Sequence, residues 1–398
     1  MAKIIIHRLV PGAFNSANRD KEGQPKSAFW AGVNRSRWSS QSQRSAMREW
    51  FRTQVDDRQR AWRTAYWHDE AAKIVAQKRF DGQPNDDQKK EIGEVINLMS
   101  TYLHGGSAAT ALERENRGTL YVANLDVLGQ IATDYYSPLA DIACSLRENM
   151  GDNQDKTNTK TKLPSNPIPT REWQNLLDYN GNVEIAAFGR FMANNEGAKV
   201  TSPLSGSHAI SVGGKSTTND FFTLIDDIAN HSSFLSATEN KVDKYDSAVY
   251  YSTLAIDTDI FLNNLNNDSD TMLKTLPTLM KAYVLKSTPS GKQNSAFSYA
   301  IPSTIAFSVA EEAYNNNAFS AFEKPINEDP SRTATQRILD YLDRCIEITG
   351  PSNWGYNGFT SVFTDDDINV PSHIKRSANH DDAYQSVINA VKDLDGIG

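Results

Sequence analysis

The sequence predicts an α+β protein in which a sheet is interrupted by a large helical insertion. Three patterns predict it. A β-branched run, Ile4–Val10, opens the chain and stops at Pro11-Gly12. Helical spacing then dominates residues 50–150, as in Ile92, Val95, Ile96, Met99 and Leu103, or Leu125, Leu128 and Ile131. Strand-like runs return at Val183–Met192 and Ala248–Asp257. Strands separated by helices and long insertions are the signature of an α+β sheet domain.

Taken in order, Ile4–Val10 reads as a strand because its β-branched residues end at a Pro-Gly breaker. Asn18–Lys26 is rich in turn residues and reads as a loop. A second strand is expected over Ala28–Trp38, with Arg35 and Arg37 alternating and therefore projecting from one face. Ser40 and Gln43 form an S-x-x-Q capping box that opens a helix. On that helix Gln41, Arg44 and Arg48 share one face, while Met47, Trp50, Phe51 and Val55 line the other. The stretch between Met150 and Pro169 is poor in apolar residues and reads as a mobile loop. Residues 193–235 are rich in Gly, Ser, Thr and Asn, consistent with a long protruding loop or hairpin, and loops of that length are commonly functional. A helix is expected from about 270 to Tyr283, then a basic loop Lys286–Lys292 and an apolar segment Ala296–Val309. Ile338, Leu339, Leu342, Cys345 and Ile346 mark a further amphipathic helix.

A chain of 398 residues suits two or three domains, or one large fold with insertions. With 39% apolar and 23% charged residues it has the composition of a soluble globular protein. No apolar run approaches the roughly 18 residues needed to cross a bilayer, so no membrane partner is expected. Ile4–Ile6 is too short for the apolar core of a secretion signal. Two distant cysteines, Cys144 and Cys345, point to buried free thiols and a reducing cytoplasm.

Charge is distributed unevenly. Residues 1–50 hold nine Lys/Arg against three Asp/Glu, a balance of +6 in a chain of net −8. A local basic block on an acidic body can grip a polyanion at one face only. A helix N-terminus favours phosphate through its free N–H groups and its dipole. Ser39, Ser40 and Gln41 add donors there, and Arg44 and Arg48 add charge. The same pattern also describes a solvated, ordinarily capped helix face. Arg19, Lys26, Arg35 and Arg37 precede it in one strand–loop–strand unit, which favours the anion-binding reading. Phe221-Phe222, within the polar 193–235 segment, can either stack on bases or anchor the following apolar run to the core. His7, His68 and His208 have no second ligand at metal spacing, and Asp365-Asp366-Asp367 lacks calcium-loop spacing. No P-loop, nucleophile elbow or dinucleotide fingerprint is present. Asp20 is the single carboxylate placed to act on a bound nucleic acid, and a turn or ion-pair role suits it better.

A set of blocks is ordered along the chain: N-R-D (18–20), Lys26, R-W-S-S-Q-S-Q-R-S-A-M-R (37–48), V-E-I-A-A-F-G-R-F-M-A (183–193), S-H-A-I-S (207–211), D-F-F-T-L-I-D-D (220–227) and S-A-V-Y-Y (247–251). K-Q-x-x-A-F at Lys292–Phe297 and G-Y-N-G at 355–358 continue it. Together they resemble the backbone subunit of the type I-E CRISPR surveillance complex, Cascade. The resemblance implies a hand-like fold with a modified RRM-like, ferredoxin-like palm, helical fingers and a long thumb loop. By that resemblance the palm is 1–48, a strand at 175–195, and 236–363. The fingers are 49–174, the thumb about 196–235, and 364–398 a C-terminal tail.

The resemblance further implies copies stacked head to tail along CRISPR RNA, in company with other Cascade subunits, without a cofactor and without catalysis. Implied phosphate or sugar contacts are Arg19, Lys26, Ser39, Gln41, Arg44, Arg48 and Lys292, beside the Arg35 and Arg37 of the basic block. Phe191 or Met192, with Phe221 and Phe222, would wedge around a displaced nucleotide. Lys156, Lys160 and Lys162 are expected to touch the phosphates of target DNA. Departures from the family pattern are Ser45, where a second cation is usual, and Phe221 in place of Trp. The alternative function is a type III-like backbone subunit that cleaves target RNA through Asp20.

Overall fold

The computed structural model describes residues 2–108, 111, 119–150, 162–191, 196–222, 241–311, 314 and 316–397. The elements run β1 (Ala2–Asn15), β2 (Ser27–Trp30), β3 (Val33–Trp38), α1 (Ser40–Arg52), β4 (Trp62–Thr64), α2 (Trp67–Phe80), α3 (Asp86–His104) and β5 (Leu120–Val122). There follow α4 (Asp126–Asp134), α5 (Tyr136–Met150), α6 (Thr170–Leu177), α7 (Val183–Phe188), β6 (Leu204–Gly206), β7 (Ala209–Ser211), β8 (Thr217–Phe222) and β9 (Lys241–Asp257). The last are α8 (Thr258–Asn264), α9 (Ser269–Lys286), α10 (Gln293–Ala296), β10 (Thr304–Glu311), α11 (Pro330–Thr349), β11 (Trp354–Ser361), β12 (Lys375–Arg376) and α12 (His380–Asp395). The α+β class read from the sequence holds. The chain divides into two compact units, one of residues 1–55 and 202–398, the other of residues 56–201.

The first unit is built on a sheet of order β12-β11-β10-β1-β9-β7-β3-β2, with β6 and β8 also paired to β9. β1 is central, antiparallel to both β9 and β10, and is buried on both faces along most of its length. Alternation along it separates two layers. Ile5 and Leu9 join Tyr251, Ile338, Leu339 and Leu342 in a core that seats α11. On the opposite face the fully buried Arg8 donates to the Tyr283 carbonyl of α9 at 2.9 Å and to Oε1 of Gln43 on α1 at 3.1 Å. Phe307 of β10 meets Tyr384 of α12 edge to face there.

Ala28–Trp38 is two strands, not one. Ala31 and Gly32 both have positive φ, 50° and 81°, and form the two-residue turn of a β2–β3 hairpin. The first helix is capped by Ser39, whose side chain accepts from the Ser42 N–H, one residue before the expected cap. Gln43 is instead buried and donates to the Ser207 carbonyl at 3.2 Å. Residues 204–222 carry three short strands, all laid antiparallel on β9. The cysteines are free, as expected, but Cys144 is exposed. Asp365 pairs with Arg376, and Asp367 accepts from Thr364, so this acidic run is a solvated turn.

The second unit is helical. Trp67, Ile92, Val95, Ile96, Met99, Leu128, Ile131 and Leu139 form the centre of its core. Val183–Met192 was expected as a strand, and its first six residues form helix α7. Asn182 caps it by accepting from the Ile185 N–H, and Gly189 ends it at φ 72°. A short, wholly buried run, apolar but for Glu184, has no usable periodicity, so the sequence does not discriminate helix from strand. The segment therefore folds with the helical unit and adds no strand to the large sheet. Among the described residues, no helix is long and apolar enough to cross a membrane.

Candidate functional site

The first turn of α1 is held by three neighbouring segments. Ser39 N–H donates to Oδ1 of Asn18 at 2.8 Å, which fixes the 18–26 loop to the helix start. That loop closes on itself through Lys26 N–H to the Asn18 carbonyl, and joins β3 through Arg37 N–H to the Lys26 carbonyl. From the other side, β3 pairs with β7 through Arg37↔Ile210 and Trp38↔Ala209. Continuing that register sets His208 opposite Ser39, and the Ser40 N–H donates to His208 Nδ1 at 2.9 Å.

Around this turn lie Arg19, exposed, with Lys26 and Arg37, both half-buried. Among the described residues none of the three forms an ion pair with a carboxylate. Two of the three, Lys26 and Arg37, act on His208. Burial first, and then the charges of Arg37 and Lys26, hold the His208 imidazole below the ordinary histidine range. Gln41 is exposed and Ser39 is buried as the cap. Arg44 donates to the Leu204 carbonyl at 3.2 Å and to Ser202 Oγ, so the β6 segment orients it. Arg48 is half-buried one turn further on. Between α1, β6, β9 and α9 there is a pocket of about 220 Å³ lined by Ser40, Gln41, Gln43, Arg44, Leu254 and Tyr283.

A second basic loop comes in beside the first. Gly291 N–H donates to the Ala17 carbonyl at 3.1 Å, which places the following Lys292 next to the 18–26 loop. Lys292 sits at φ 56° and its Nζ is paired with Asp243 of β9. It therefore reaches the site already neutralised in part.

Arg35 departs from the expectation and is not part of this surface. It is fully buried, with its guanidinium on the carbonyls of Ser211, Val212, Phe322 and Glu323 at 2.8–3.1 Å and over the Trp30 ring at 4.9 Å. The β3 alternation that was read as an outward arginine pair sends Arg35 into the core, where it ties β7 to the segment before α11. Asp20 is a turn residue: its Oδ1 accepts from the N–H groups of Glu22 and Gln24 at 3.0 and 2.9 Å.

The apolar candidates fall on different elements. Phe221 on β8 is 59% exposed and lies opposite Val242 of β9, itself 50% exposed. Phe222 ends the same strand opposite Lys241. In the helical unit Phe191 is 80% exposed, with the Lys199 ammonium 5.8 Å from its ring centre. Met192, Lys156 and Lys160 lie outside the described residues, and Lys162 is exposed. His208 has no metal-spaced partner in the sequence to mark it. Its usable signal was the S-H-A-I-S block itself.

The model of the CT1975-like protein family matches residues 4–390 of this chain. Two solved structures are similar in fold. A chain described as "CRISPR RNA-guided surveillance complex, pre-nicking" aligns with a TM-score of 0.76 at 21% identity, covering 98% of this chain and 99% of that one. A chain of a "CRISPR RNA-guided surveillance complex" aligns with a TM-score of 0.67 at 20% identity, with the same coverage of both chains. No curated protein matches the chain.

Proposed function

The chain belongs to the CT1975-like protein family, and from that footing we propose that it is the repeated backbone subunit of a type I-E CRISPR surveillance complex. It grips the sugar-phosphate backbone of the guide RNA without regard to sequence and leaves the bases free to pair with target DNA. The observation that carries this reading is the α1 first turn, where Lys26 and Arg37 both act on His208, Arg19 is exposed on the adjoining loop, and none of the three pairs with a carboxylate among the described residues. The similar fold of two chains from RNA-guided complexes agrees with it.

Contacts to phosphate and ribose carry no sequence information, so one protein surface suits every guide. Ser39 sets the helix start, the Ser40–Gln41 turn presents its dipole, and Arg19, Lys26, Arg37, Arg44 and Arg48 supply the charge. Complementarity between exposed bases and target then reads the sequence. Head-to-tail contacts between copies are heterologous and propagate into a filament unless capped. Phe221, exposed on the β8–β9 ribbon, would separate neighbouring bases, and Lys156, Lys160 and Lys162 would touch target DNA.

RNA cleavage through Asp20 is the lesser reading, since its carboxylate is spent on closing its own turn. Sequencing of RNA co-purified with the chain tests the proposal. Short species with a common flank and diverse interiors support it. A heterogeneous cellular RNA population would instead indicate a general single-strand binder.

A further inference from the structure

We infer that His208 is an additional backbone-binding residue, donating from Nε2–H to an oxygen of the bound strand. This rests on the RNA-binding reading above and names a contact that the basic block does not include.

The inference begins with the ladder. β3 and β7 are in register through Trp38↔Ala209, which leaves His208 one step beyond the last pair, facing the start of α1. There its Nδ1 accepts the Ser40 backbone N–H at 2.9 Å. An imidazole nitrogen that accepts carries no proton, so the proton resides on Nε2, and the ring is a neutral donor. Among the described residues no protein group takes that proton, and the ring is only half-buried. Burial first, and then the surrounding charges, keep the ring neutral, while the bond from Ser40 selects the tautomer. Arg37 and Lys26 face the ring from β3 and from the 18–26 loop, and both disfavour the imidazolium. Protonation at Nδ1 would also break the bond to Ser40.

The side chain thus has two separable roles. Nδ1 satisfies one of the orphan N–H groups of the helix start. Nε2–H is a donor left without a protein partner among the described residues, on a half-buried ring beside Lys26 and Arg37. A neutral donor flanked by two cations suits an oxygen acceptor: a non-bridging phosphate oxygen or a ribose 2′-hydroxyl. It does not suit another cation or an apolar group.

The two roles can be cut apart. His208→Asn puts an amide oxygen near the Nδ1 position and keeps the acceptor for Ser40, but lacks the outward donor. His208→Ala removes both. The full-length chain is titrated with oligouridylate and with oligodeoxyuridylate at fixed salt. His208→Asn is expected to melt close to wild type and to bind oligouridylate about three- to tenfold more weakly, the size of one hydrogen bond. An equal loss on both strands assigns the acceptor to phosphate, and a loss confined to the ribose strand assigns it to the 2′-hydroxyl. Unchanged binding to both strands overturns the inference. If wild type binds neither strand, the RNA-binding reading itself fails. Should His208→Asn fold poorly, nitrogen NMR of ¹⁵N-histidine wild-type protein decides. An Nε2–H resonance that shifts on addition of oligouridylate supports the contact, and an Nδ1–H tautomer or an unshifted signal refutes it.

Discussion

Gly291 lies so close to Ala17 that a β-carbon on it would stand 2.5 Å from the Ala17 carbonyl oxygen. This approach joins the loop that bears Lys292 to the loop that bears Arg19, two regions far apart in the chain, and only glycine permits it. Gly291→Ala is expected to destabilise the first unit by about 1–3 kcal/mol, as overpacking does, and to weaken RNA binding by displacing Lys292. Urea denaturation with an RNA titration checks both. A variant of wild-type stability and affinity would show that the two loops do not need this contact.

Arg35 and Arg37 are two residues apart on β3 and are expected to behave as opposites. Arg35→Met strands four carbonyls that the guanidinium now satisfies, and its cost is about 3 kcal/mol or more. Arg37→Gln should stay within about 0.5 kcal/mol of wild type and lose RNA affinity. Chemical denaturation of the two variants side by side is the check. Equal stability losses would mean that Arg37 too is structural.

Neutralising Arg19, Lys26 and Arg37 together should flatten the salt dependence of RNA binding. Each lost phosphate contact removes roughly 0.7 from the slope of log K against log salt concentration, so the triple variant should lose roughly 2. An unchanged slope would take the three cations out of the contact surface.

Acid sensitivity follows from buried histidines. Burial pushes His7 from 6.5 down to about 3, and its Nδ1 lies 2.9 Å from the Tyr251 hydroxyl. The unfolded chain binds this proton more readily than the folded one between those values. Stability is therefore complete above pH 6.5 and declines as pH falls toward 3, by up to about 1.4 kcal/mol per pH unit from this one group. His104, His208 and His380 are displaced in the same direction by burial. His7→Asn retains an acceptor for Tyr251, and its stability measured from pH 7 to 4 should fall less steeply than that of wild type. Parallel pH profiles would exclude His7 as a source of the slope.

The lysines at 156, 160 and 162 lead to a separable outcome. Replacing all three by Gln should weaken capture of duplex target by the assembled complex and leave guide-RNA assembly intact. DNA affinity equal to wild type would reject their role.

Much of this architecture was legible because it depends on local patterns. The Ile4–Val10 run, the spacing of Ile92 to Leu103 and the amphipathic α1 each carry their own period. What was misread depends on long-range context. Whether Arg35 faces water depends on the Ser211–Val212 and Phe322–Glu323 carbonyls, which come from distant parts of the chain. The Val183–Phe188 run reads as strand because five of its six residues are apolar, and only the Asn182 and Gly189 caps betray the helix. His208 has no metal-spaced partner in the sequence, and its contact with Ser40 comes from a register with β3 that no local spacing encodes. S-S-Q-S-Q offers two adjacent choices of cap, Ser39 and Ser40, and Asn18 selects Ser39.

The most direct test is a fluorescence titration of the full-length chain with several RNA strands of unrelated sequence across a range of potassium chloride concentrations. The account predicts closely similar affinities for all strands and the same steep fall with salt. Strong preference for one sequence, or affinity indifferent to salt, would contradict it.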